Sequence, residues 1–178
     1  MLNIIVEYFH RGTVLSNTQG TILSLTLIYF IYRAIELSII DIREHRLPNR
    51  IVLPLYLTIM LPLIAVYLLE HNIIGVKNTL YSAVLLTLFY YVLRVFSRGG
   101  LGLGDVKLSG ILGALTGFIS PLTLCWATLL TFTLGGIYSL AILLLLRTKT
   151  PQQHIAFGPF MLLGTTLAIL FPPSNTLF

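Results

Sequence analysis

The sequence predicts an all-α polytopic membrane protein, a bundle of six transmembrane helices, and three observations lead there. First, 56% of its 178 residues are hydrophobic and only 10% are charged, against roughly 25% charged in an ordinary soluble domain. A water-soluble fold needs a polar skin that these side chains are too few to make. Second, the apolar residues come in continuous runs, not in strand-like alternation. In lipid, every backbone polar group must be satisfied internally, so continuous runs read as helices. Third, the basic residues cluster in alternate connections between those runs, which is the charge asymmetry expected of membrane topology.

About 20 apolar residues are needed to cross ~30 Å of hydrocarbon. Six runs approach that length: Thr21–Ile40, Ile51–Leu69, Leu80–Phe96, Val106–Ser120, Leu122–Leu146 and Ile155–Phe171. The fourth and sixth are short, and suit thinned bilayer or a water-filled hollow. The whole chain, residues 1–178, reads as one membrane domain. Residues 1–20 form a short interfacial or amphipathic lead-in, without the basic region and long apolar core of a cleavable signal peptide. If the first span runs inward, the three cytoplasmic connections and their flanks carry Arg43, Arg46, Arg50, Arg94, Arg98, Lys107, Arg147 and Lys149. The other side carries Arg11 and Lys77. The net charge of +5 therefore follows from topology and calls for no nucleic-acid partner. Both termini are expected outside.

Of the six acidic residues, Glu7, Glu44 and Glu70 fall in tails or connections and read as solvated. Glu36 lies three residues after Arg33 on the first span, a spacing that makes an ion pair on one helix face. Asp41 and Asp105, the only aspartates, stand apart. Asp41 closes the first span in "DIREHRLPNR" and Asp105 opens the fourth in "GGLGLGDVK", so both lie at the same membrane edge. Acids next to hydrocarbon are expensive and need a reason. Two carboxyls held together cannot both ionise and share one proton. The ionised member can draw a proton from water while the protonated member donates to a peptide carbonyl. Taken alone, Asp105 also fits an N-cap at an interfacial helix end.

The glycines before Asp105, Gly102 and Gly104 above all, let backbone turn sharply and approach another chain closely. Pro48 and Asn49 follow Asp41 as a helix-breaking turn, with Asn49 placed to cap the second span. Gly158 and Pro159, in "AFGPF", read as the start of the last helix. Lys107 is placed either to touch Asp105 or substrate, or to snorkel to the interface. Gly113 and Gly117 form a GxxxG step suited to close helix packing.

"DIREHRLPN", "GGLGLGDVKL" and "AFGPF", in that order at successive connections on one face, resemble the type IV prepilin peptidase family over essentially the whole chain from the first span. The resemblance implies an aspartyl endopeptidase of the bacterial inner membrane. It would cut the basic leader from prepilins or pseudopilins on the cytoplasmic side, with Asp41 and Asp105 as catalytic residues. Gly102, Gly104, Lys107, Pro48, Asn49, Gly158 and Pro159 are the candidate substrate-binding residues beside that pair. Leu47 replaces the family's usual Ile, and Ala156 its frequent Pro. Many members carry an amino-terminal segment with two CxxC pairs that goes with methylation. Cys125 is the sole cysteine here, so neither a zinc ion nor methyltransferase activity is expected, and no cofactor is.

Other chemistries fit poorly. A phosphate loop ends in Gly-Lys-Ser/Thr, and here the last glycine meets Asp105. There is no HExxH zinc motif, and His10, His45, His71 and His154 are scattered and read as loop residues. Lys107 and Ser109 sit two apart on a helix and diverge. The alternatives to a protease are a small transporter, with paired aspartates relaying cations or protons, and a non-catalytic component of a pilus or secretion machine.

Overall fold

The computed structural model describes residues 1–97, 100–146 and 156–173. All regular structure among them is helical: α1 (Leu2–His10), α2 (Val14–Glu44), α3 (Asn49–Leu55), α4 (Leu61–Leu69), α5 (Ile73–Phe96), α6 (Leu103–Ile119), α7 (Pro121–Leu146) and α8 (Gly158–Leu170). A π-helical turn, Tyr56–Met60, joins α3 to α4. Four stretches are long and apolar enough to cross a membrane: Val14–Glu44, Asn49–Leu69, Ile73–Phe96 and Pro121–Leu145. The fourth and sixth runs, expected to be short, form α6 and α8. At 17 and 13 residues these reach about 25 and 20 Å.

Caps account for the helices that outgrow the apolar runs. The Thr13 hydroxyl accepts from the Ser16 amide while Ser16 Oγ accepts from the Thr13 amide, so α2 starts seven residues before its run. Asn72 Oδ1 accepts from the Gly75 amide at 2.9 Å and starts α5 early. At the other end of α2 the helix continues past Asp41 to Glu44, and His45 closes it with a left-handed φ of 51°. Asp41 is thus a residue of the last helical turns, not of the connection. His10 belongs to α1 and its Nδ1 meets the Val6 carbonyl, which corrects its reading as a loop residue. His154 lies outside the described residues.

Helix α6 is the centre of the bundle: every residue from Asp105 to Ile119 except Lys107 is buried. Lipid tails are as apolar as leucine, so close packing rather than escape from water must hold such a helix in place. The GxxxG face supplies it. A Cβ on Gly113 would lie 2.5 Å from the Ser82 carbonyl oxygen, and one on Gly117 would lie 2.2 Å from Ser82 Cβ. The backbones of α5 and α6 therefore nearly touch, as the small-residue spacing predicts. On the other flank, Pro54 interrupts the second span and the π turn follows. Tyr56 emerges from that turn to donate its hydroxyl to the Lys107 carbonyl at 2.6 Å. Helix α7, by contrast, turns most of its surface outward.

Candidate active site

Asp41 is 4% exposed. Its Oδ2 accepts the backbone N–H of Gly158 at 2.9 Å. Gly158 is the first residue of α8, so its amide is one of the donors a helix start leaves free, at the positive end of the helix dipole. A Cβ there would stand 2.6 Å from the Asp41 oxygen, so any side chain at this position must push the carboxyl off its amide. Pro159 follows at a first-turn position, where its missing N–H costs nothing.

Asp105 is 7% exposed. Helix α6 begins two residues before it, so Asp105 is not the N-cap that its position suggested. Gly102 is the N-cap, and Asp105 reaches back so that its Oδ2 accepts the Gly102 N–H at 3.1 Å. Each aspartate is thus seated on a backbone amide at a helix N-terminus. Asp41 is close enough for its charge to be felt at Asp105. His45 lies within electrostatic reach of Asp41, and Arg94 within reach of Asp105.

The connection after Asp41 is clamped onto the glycine turn before Asp105. Leu47 is 8% exposed and packs over Gly104, where a Cβ would lie 2.7 Å from Leu47 Cβ. Asn49 does not cap the second span. Pro48 holds the cap position, and Asn49 Oδ1 instead accepts from Lys107 Nζ at 2.9 Å. Lys107 is therefore tied to α3 at the exposed surface, and it forms no ion pair with Asp105. Together these contacts join the two motif segments along α6, so Asp41 and Asp105 are brought near by packing on both sides of the glycine turn.

An aromatic cluster adjoins the Gly158 seat of Asp41. Phe157, directly before Gly158, meets Phe132 of α7 at 5.5 Å and Tyr90 of α5 at 6.3 Å between ring centres. Tyr90 also stacks on Phe132 at 6.0 Å and lies within electrostatic reach of Asp105. Tyr90 and Arg94, four apart on α5, sequence reasoning missed as site residues. Their i, i+4 spacing at the loop end of the third run was visible, but only the fold shows that this face looks towards Asp105. Among the described residues, no three His, Cys, Asp or Glu side chains gather as a metal cluster would.

Residues 27–145 match the Type IV leader peptidase family. The chain belongs to that family. It is 34% identical over 149 residues to a prepilin leader peptidase/N-methyltransferase of Escherichia coli strain K12, covering 79% of this chain and 60% of that protein. It is 31% identical over 151 residues to the protein of the same description from Pseudomonas putida, covering 83% of this chain and 50% of that one. The Pseudomonas aeruginosa counterpart is 32% identical over 143 residues, covering 77% of this chain and 46% of that protein. The chain thus spans about half to three-fifths of the length of these curated relatives. No solved structure matches it.

Proposed function

We propose that this chain is a membrane aspartyl endopeptidase that removes the leader from type IV prepilins or pseudopilins, with Asp41 and Asp105 as its catalytic residues. The observation that carries the reading is the state of the two acids. Both are buried, each is held by one neutral backbone amide through Oδ2, and the Asp41 charge is felt at Asp105. Neither is in an ion pair among the described residues, whereas Glu7, Glu36, Glu44 and Glu70 all are. Family membership supplies the substrate class.

The chemistry follows from the pair. One carboxylate takes a proton from a water between the two acids, and the oxygen of that water bonds to the scissile carbonyl carbon. The other carboxyl gives its proton to the carbonyl oxygen. The tetrahedral gem-diol collapses as the amine nitrogen takes the proton held by the pair and leaves, while one diol hydroxyl returns its proton to the other aspartate, which yields the carboxylic acid and restores one shared proton. Gly102, exposed before Asp105, leaves room for an extended substrate backbone, whereas the space at Gly104 is taken by Leu47. The preponderance of basic residues expected at this end supports an active site facing the cytoplasm. Six membrane-crossing helices, with α6 and α8 as the two short ones, complete the proposed topology.

Co-expression with a prepilin tests the reading. Wild type should convert the precursor to a smaller product on a gel, and Asp41→Asn and Asp105→Asn should each leave only precursor. A transporter or a non-catalytic assembly component leaves the precursor intact in all three cases.

A further inference from the structure

Arg94 lies in the last turn of α5, and its Nη1 donates to the carbonyl oxygen of Leu101. That carbonyl belongs to the same peptide unit as the N–H of Gly102, which donates to Asp105 Oδ2 at 3.1 Å. A peptide unit is planar and, when trans, points its C=O and N–H in opposite directions. Fixing the carbonyl therefore fixes the amide. Gly102 has no side chain to hold the orientation of this unit, and it is exposed. Ahead of it, the Gly100 amide donates to the Ser97 carbonyl, and Ser97 Oγ donates to the Arg94 carbonyl.

We infer that Arg94 is a positioning residue of the aspartate site, aiming the Gly102 amide at Asp105 through the single peptide plane that joins Leu101 to Gly102. The guanidinium also polarises that plane, since hydrogen bonds in a chain strengthen one another. Its charge is felt at Asp105 as well. The catalytic part of the inference rests on the peptidase reading; the structural part stands without it.

Two readouts test it. In prepilin cleavage, Arg94→Gln should lower kcat about ten- to a hundredfold, the range expected on losing a charge-assisted bond, with KM within about twofold. Arg94→Lys, which keeps a charge and a donor, should recover most of the loss. In the purified protein in micelles, NMR hydrogen exchange at the Gly102 amide should quicken about tenfold or more in Arg94→Gln and stay near wild type in Arg94→Lys, with the amides of Ile111–Leu115 unchanged. Arg94→Met, which keeps the apolar stem without donor or charge, replaces Arg94→Gln if the latter does not fold. Unchanged exchange at Gly102, a kcat within twofold of wild type, or a lysine variant no better than the glutamine one overturns the inference. If wild type cleaves no prepilin, the peptidase reading falls while the exchange rates still decide the role of Arg94.

Discussion

The two ends of the bundle both carry buried or half-buried acids, and they treat them in opposite ways. At the end where α1 lies, Glu70 accepts the Tyr8 hydroxyl at 2.7 Å and pairs with Arg11 at 3.5 Å. Arg11 also pairs with Glu7 at 2.8 Å and stands over the Tyr8 ring at 5.2 Å. Burial, and then the bond to Glu70, hold the Tyr8 phenol well above the usual tyrosine range. Every charge in this cluster has an opposite partner, and the product is a helix pinned to the bundle. At the other end, Asp41 and Asp105 receive neutral amides and, among the described residues, no ion pair, with the Asp41 charge felt at Asp105. An acid neutralised by a cation is committed to structure. An acid seated on a backbone amide beside a second acid keeps the ability to gain and lose a proton. The contrast separates structural from reactive carboxyls in a chain where composition marks all six as unusual.

If the contrast is right, neutralising acids at the two ends will have very unequal effects. Asp41→Asn or Asp105→Asn should lower the initial rate of prepilin cleavage by about 10³-fold or more, in line with the loss of a general acid or base. Glu70→Gln should change it less than about twofold. Equal losses at both ends would erase the distinction. Gly158→Ala sharpens it at the seat of Asp41. The new Cβ would stand 2.6 Å from Oδ2 and must push the carboxyl off its amide, so cleavage should fall about ten- to a hundredfold, the weight of a hydrogen bond to a charged group. The melting temperature in detergent should hold, since a side chain can swing aside.

Between the two ends, Gly113→Val meets backbone, the Ser82 carbonyl at 2.5 Å and Ala83 Cα at 2.9 Å, and backbone cannot swing aside. It should cost about 1–3 kcal/mol of stability, as overpacking does, seen as a lower thermal midpoint. The smallest effect belongs to Tyr8→Phe. Losing the bond to Glu70 should cost about 1 kcal/mol and leave the cleavage rate where it was. A large loss of activity there would mean that the pinned helix serves the site.

Much of this was legible in the chain. The Arg33–Glu36 pair, expected from its spacing, closes at 2.6 Å, and the Gly113–Gly117 step packs on α5 as expected. Both are local regularities of one helix face. The seat of Asp41 was not legible, because its partner amide at Gly158 is 117 residues away. The exchange of Asn49 from cap to lysine acceptor was hidden for the same reason, with Lys107 58 residues distant.

By itself, the sequence determined the class of solvent this protein meets, the helical response to it, and the two motifs that carry a carboxyl. Hydropathy and backbone satisfaction act residue by residue along a chain and need no knowledge of neighbours. The tertiary structure alone decided which amide each aspartate rests on, that Lys107 serves α3, and that Arg94 and Tyr90 face the site. Those outcomes depend on how closely glycine-lined helices approach, which is a property of pairs of surfaces and not of any one segment.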